Sequence, residues 1–187
     1  MFALEGDAYF AILNSCFHTE WAEKTSSRLK EDPNYNLAKT FETFPLPEPT
    51  PELNGLGRSL HEHRHILFKR WQEGLTSIYN RFHDPYEAAA DIQTLRNFHV
   101  EMDKAVADAY GWSDLDLGHG FHETKQGTRF TISEAARREV LARLLKLNHE
   151  RYAEEVAQGL HDKAKGKPKV TGRKGKRTPS DEESLLF

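Results

Sequence analysis

Apolar side chains recur along this chain at intervals of three and four, the spacing at which successive turns of an α-helix present one face. Phe10, Leu13, Phe17 and Trp21 predict an amphipathic helix over residues 7–27. It starts so near the first residue that the chain reads as a late segment of something larger. Leu53, Leu56, Leu60, Leu67, Trp71, Leu75, Ile78 and Phe82 predict one long helix over residues 51–82, with His63 filling a missing step and a bend at Gly74. His83, Asp84 and Pro85 end it, Asp84 being the cap of the following turn. Ile92, Leu95, His99, Met102, Val106 and Ala109 predict a third helix over 86–110, closed by Gly111 and paired antiparallel with the second. Residues 128–132 read as a short strand. Thr131 and Glu134 then have capping-box spacing for a helix over 133–160, with Val140, Leu141, Leu144, Leu147 and Val156 on its apolar face. The fold class that follows is mainly α, a helical bundle of about four helices with minor β near residues 1–5 and 128–132.

Between the first two helices Pro33, Pro45, Pro47, Pro49 and Pro51 forbid regular helix, yet Tyr35, Phe41 and Phe44 must pack somewhere, so this is an ordered linker. Three regions result: 1–50, a helical domain over 51–160, and a disordered tail over 161–187 that has no core-forming pattern. The composition, 37% hydrophobic and 29% charged, suits a helical domain with extended surface. A single cysteine, Cys16, excludes an internal disulfide, and with no signal peptide or membrane-length apolar run the chain reads as cytoplasmic. The charge is uneven. Lys163 to Arg177 carries eight Lys or Arg and no acid, and subtracting those from the net of −3 leaves about −11 on the rest. Such a tail either neutralises nucleic-acid phosphates or is simply a solvated appendage.

Catalytic patterns are missing. No glycine-rich turn follows a strand, and Gly55 with Gly57 sits where a helix begins; no phosphate-cradling loop and no Gly-x-Ser-x-Gly is present. Cys16 and His18, two apart on a helix, point to different faces. His61, His63 and His65 fan around their helix and cannot converge on one ion. His99, in an apolar stripe, reads as a satisfied core histidine. His119, His122 and Glu123 in a glycine-flanked loop form a conceivable ligand set for a small metal-dependent hydrolase, against surface or capping roles. Ser26, Ser27, Arg28 and Lys30 are phosphate-partner types, or merely a polar helix end. Arg129, Arg137 and Arg138 lie near a helix N-terminus that favours phosphate, or pair with Glu134 and Glu139.

Whole phrases carry a resemblance. Ser26-Ser27-Arg28-Leu29-Lys30, Tyr35 and Phe41-Glu42-Thr43-Phe44-Pro45-Leu46-Pro47 resemble the end of the target-recognition domain in MmeI-like, type IIG-like restriction-modification DNA methyltransferases. Gly74-Leu75-Thr76, Tyr79 to Pro85, the set Ile92, Leu95-Arg96, His99, Met102-Asp103, Ala105-Val106 and Ala109 to Trp112, and the helix Glu139 to Asn148 are similar to that family's C-terminal helical region. The likeness runs over about residues 8–157. It implies that 1–50 ends a target-recognition domain, and that the chain helps a parent enzyme grip double-stranded DNA in restriction or phage defence. The parent would be an S-adenosylmethionine-dependent, adenine-specific methyltransferase. This chain has neither the cofactor motif nor the Asn-Pro-Pro-aromatic motif that holds a flipped adenine, so catalysis by it alone is not expected.

The DNA contacts expected are Ser27, Arg28, Lys30 and Arg129, with Lys165, Lys167, Arg173 and Lys174 in the tail. The alternative is a helical protein-interaction module that docks on a separate methyltransferase chain through Trp21, Phe41, Phe44 and Trp71.

Overall fold

The computed structural model describes residues 6–29 and 32–160. The expected strand at 1–5 and the tail at 161–187 lie outside the described residues. The chain divides into two units, Met1–Tyr152 and Ala153–Phe187; the packing described below belongs to the first.

The fold is mainly helical, but its helices are shorter and more numerous than the periodicity predicts. The first splits into α1 (Asp7–Asn14) and α2 (Cys16–Thr25). Ser15 is the reason. Its backbone is extended, its hydroxyl donates to Ile12 O (2.6 Å) to close α1, and the same oxygen accepts from His18 N (3.4 Å) to cap α2. The strands β1 (Ser27–Leu29) and β2 (Asp32–Asn34) pair antiparallel, and a π-helical turn spans Leu37–Phe41.

The predicted helix over 51–82 is also two. Thr50 caps α3 (Pro51–Trp71) by accepting from Leu53 N (3.2 Å), and Pro51 takes the first helical position, where a missing N–H costs nothing. Gln72 turns left-handed (φ 53°) and ends it, and α4 (Leu75–Phe82) restarts after Gly74. Thus the chain breaks where a bend is expected.

The third helix, α5 (Ala90–Ala109), begins four residues later than predicted. Arg96 explains the delay: its buried guanidinium donates to Arg81 O (3.2 Å), Phe82 O (2.9 Å), Asp84 O (2.7 Å) and Glu87 O (3.0 Å), holding residues 83–89 as a turn. Asp84 Oδ1 accepts from Tyr86 N (2.9 Å) in that turn, the expected cap. Gly111, at φ 73°, closes α5 as predicted.

The expected strand is half of a hairpin, β3 (Gly120–Thr124) with β4 (Gly127–Thr131), in which Phe121 faces Phe130 and His122 faces Arg129. The capping box at Thr131 does not form. Ser133 caps α6 (Glu134–Ala157) instead, accepting from Ala136 N (3.2 Å), while Thr131 stays in β4. In α6, Ala136, Val140 and Leu144 are buried and Val156, expected on the apolar face, is exposed.

The core lies between α1, α2, α3 and α5, centred on Ile12, Phe17, Trp21, Leu60, Leu95 and Met102. The proline-rich linker is pinned to it: Trp21 Nε1 donates to Thr40 O (3.0 Å), Tyr110 Oη to Pro45 O (3.0 Å) and Asn148 Nδ2 to Thr43 O (2.7 Å). Trp21 and Phe44 are buried here, so they cannot form an exposed docking face, and Trp71 is half-buried with its indole N–H on Asp91 Oδ2 (3.0 Å).

The α1–α3 crossing is closest at Gly57, where an added Cβ would lie 1.9 Å from the Asp7 carbonyl oxygen. At Gly55, two positions earlier, nothing lies within 4 Å. Gly57→Ala is expected to destabilise by about 1–3 kcal/mol or more by forcing the helices apart, although Ala is the better helix former. Gly55→Ala is expected to stabilise by about 0.5–1 kcal/mol. Thermal unfolding of the two variants checks this; equal shifts would contradict the close crossing.

Candidate functional site

Three charged or polar residues on the buried face of α5, Arg96, His99 and Asp103, stand at helical spacing between Ile92 and Val106. Asp103 has no exposed surface. Its Oδ1 accepts from Cys16 N (2.8 Å) at the first turn of α2, where the helix dipole favours a negative charge, and its Oδ2 accepts from His119 Nε2 (2.9 Å) just before β3. Cys16 Sγ in turn lies 3.5 Å from Thr131 Oγ1 in β4. One carboxylate therefore ties together α2, α5 and the hairpin.

These elements, with α3 and α4, enclose a cleft of about 1490 Å³ lined by Arg64, Tyr79, His83, His99, Asp103 and Arg129 among others. Arg64 Nη2 donates to Asn14 Oδ1 (2.9 Å) and to the Tyr79 hydroxyl, and its guanidinium lies against the rings of Phe10 (5.4 Å) and Tyr79 (5.0 Å). A guanidinium only donates, so the phenol's own proton goes to His99 Nε2, 2.8 Å away. On the far side, His83 Nδ1 accepts from Phe130 N (3.2 Å), which fixes its tautomer.

Burial pushes His99 down to about 4 against the opposing pull of Asp103. Burial, then Arg129 and Arg96, hold His83 at about 4 as well. Both rings are neutral at neutral pH. Burial, reinforced by Asp103, raises the Cys16 thiol, so it stays protonated and is not an activated nucleophile. Burial lifts Glu20 to about 7 despite its pairing with Arg137 (3.9 Å).

Among the described residues, four buried guanidinium nitrogens have no hydrogen-bond partner: Arg64 Nε, Arg81 Nη1, Arg129 Nε and Arg137 Nε. Each such donor costs about 1–3 kcal/mol. Arg81 and Arg137 at least face carboxylates, Glu87 at 3.7 Å and Glu20 at 3.9 Å. Among the described residues, neither Arg64 nor Arg129 forms an ion pair.

Of the expected DNA contacts, Arg129 lines this cleft. Ser27 and Arg28 lie in β1, paired with Asn34 and Pro33. Lys30, Lys165, Lys167, Arg173 and Lys174 lie outside the described residues. The two neighbours of Arg129 read with it are engaged, Arg137 with Glu20 and Arg138 with Glu134. Arg64 escapes a reading of the sequence for motifs, although a cation four after Leu60 and three before Leu67 falls on a core-facing stripe. Asp103, between His99 and Val106, carries the same signal.

The conceivable metal set does not form. His119 is bound to Asp103, His122 Nε2 donates to Gly118 O (2.8 Å), and Glu123 accepts from the Thr128 hydroxyl. No group of three metal-ligating side chains occurs among the described residues. No helix among the described residues is long and apolar enough to cross a membrane.

The neutral state of His99 has a consequence for stability. A histidine held below its unfolded value binds its proton more readily in the unfolded chain, so its contribution is full above about pH 6.5 and is lost as pH falls toward about 4. His83 acts in the same direction, and Glu20, raised, acts oppositely. Between pH 7 and pH 4, wild type is expected to lose about 3 kcal/mol more than His99→Gln. Denaturant unfolding at both pH values checks it, and parallel losses would refute a neutral buried imidazole.

No protein-family model matches the sequence, and no curated protein matches it. Among solved structures, the chain is similar to the type IIL restriction-modification enzyme MmeI, whose structure was determined in complex with DNA. The likeness has a TM-score of 0.50 at 21% identity and covers 80% of this chain. The chain spans 17% of the length of that protein. At this identity the similarity is one of fold.

Proposed function

We propose that this chain is a DNA-gripping C-terminal portion of a site-specific adenine-N6 DNA methyltransferase of the restriction-modification kind. Residues 1–50 would be the end of its target-recognition domain and 51–160 its C-terminal helical region. The observation that carries the reading is the fold likeness to a restriction-modification enzyme solved on DNA, extending over four-fifths of this chain. The sequence phrases from Ser26 to Pro47 and from Gly74 to Trp112 support it independently. So does a cleft in which the half-buried Arg64 and Arg129 form no ion pair among the described residues.

The chain is not catalytic by itself on this reading. The sequence has no motif for S-adenosylmethionine or for a flipped adenine, so both belong to a methyltransferase domain elsewhere, in the same polypeptide or in a separate chain. The role left to these residues is to hold phosphates and fix the register of the duplex, which is what cations on a folded body do.

Binding of this chain to duplex DNA across a salt series, with and without residues 163–187, tests the reading. Each neutralised phosphate contributes about 0.9 to the slope of log affinity against log salt. Deleting the tail is expected to lower that slope but leave a measurable one, carried by the folded body. Binding that disappears with the tail, or is missing in both forms, would remove the gripping role.

A further inference from the structure

We propose that the cleft between α2, α4, α5 and the β3–β4 hairpin is a phosphate site for a nucleic-acid strand, with Arg64 and Arg129 as its two phosphate-binding residues. The source of the phosphate, a strand, rests on the DNA-binding reading above; the anion chemistry does not.

The lining holds five acidic and five basic side chains, and it is the pairing among them that points to an anion. Its acidic side chains are mostly committed: Glu20 faces Arg137, Glu134 holds Arg138, Asp103 takes Cys16 N and His119, and Glu123 takes the Thr128 hydroxyl. Glu23 at the exposed rim has no ion pair among the described residues. Of the lining cations, Arg64, Arg129 and Lys125 form no ion pair among the described residues, and the first two have buried Nε atoms without a hydrogen-bond partner there. A half-buried cation without a counter-charge attracts an anion more strongly than a fully solvated one does. Phosphate suits it, because the planar fork of a guanidinium matches two phosphate oxygens.

The two groups differ in how they are held. Arg64 is clamped by Asn14, the Tyr79 hydroxyl and the rings of Phe10 and Tyr79, so little side-chain freedom remains to be lost on binding. For Arg129 it is the backbone that is set, by its register opposite His122 in β4. The volume, about 1490 Å³, exceeds the roughly 300–1,000 Å³ of sites for single small molecules and suits a length of sugar-phosphate backbone better than a lone ion.

The test uses the full chain with a short DNA duplex and, separately, with inorganic phosphate. Variants are Arg64→Met, Arg64→Lys and Arg129→Met, with Lys104→Met, exposed on α5 and outside this cleft, as the control. Loss of either arginine is expected to weaken duplex binding and reduce the salt slope by about one, while Arg64→Lys keeps the slope by keeping the charge and Lys104→Met changes nothing. Arg64→Met also removes the clamp on Tyr79; Arg129→Met, which breaks no hydrogen bond or ion pair, gives the answer if that variant does not fold. Duplex binding with an unchanged slope in Arg129→Met, and in Arg64→Met where it folds, would overturn the site and leave the DNA reading intact. Failure to bind duplex, with stabilisation by phosphate that disappears in Arg129→Met, would overturn the strand and keep the anion site. No response to either ligand would overturn both.

Discussion

A carboxylate without exposed surface sits where three parts of this chain meet. Asp103, on the inner face of α5, accepts from the first turn of α2 through Cys16 N and from His119 at the entrance to the hairpin. Burying a charge is costly unless it is fully hydrogen-bonded, and here the N-terminal end of a helix and an imidazole N–H supply the bonds. The residues that satisfy it lie 87 and 16 positions away in sequence, so the arrangement specifies how distant segments assemble. With α2 and the hairpin both referred to one atom group on α5, the space left between them becomes the cleft.

Arg96 plays the complementary part. Four backbone carbonyls of the α4–α5 turn converge on its guanidinium, and the rings of Phe121 and Phe130 in the hairpin lie 4.9 and 5.7 Å from it. The cation is satisfied by carbonyl dipoles on one side and covered by aromatic faces on the other. It therefore positions the hairpin without projecting charge into the cleft. Arg64 and Arg129 differ in forming no ion pair among the described residues, and the neighbouring histidines, held neutral by burial, neither add to nor cancel their field.

Much of this was legible from residue spacing. Helical class, the core stripes, the cap at Asp84, the closure at Gly111 and the core role of His99 follow from local rules that depend on neighbours a turn away. The boundaries that differ turn on longer-range satisfaction. Ser15 can cap in either direction, Thr131 is drawn from its capping position into β4 beside Cys16, and the start of α5 is delayed by Arg96, whose acceptors lie up to 15 residues earlier. Trp21 and Phe44 are exposed or buried according to where the proline-rich linker folds back, which periodicity does not state. Arg64 and Asp103 were visible in principle as charges on apolar stripes. Motif reading passes over such positions because it looks for clusters along the chain, and these residues come together only through packing.

The central claim is that the folded body, through this cleft, meets DNA. Hydrogen exchange of the full chain with and without duplex addresses it directly, because it reports where the backbone becomes protected. The account predicts protection in β4 around Arg129 and in the adjoining α4 segment around Tyr79 to His83, together with any change in the tail. Protection confined to residues 161–187, with the exchange of β4 and α4 unchanged at saturating duplex, would contradict it.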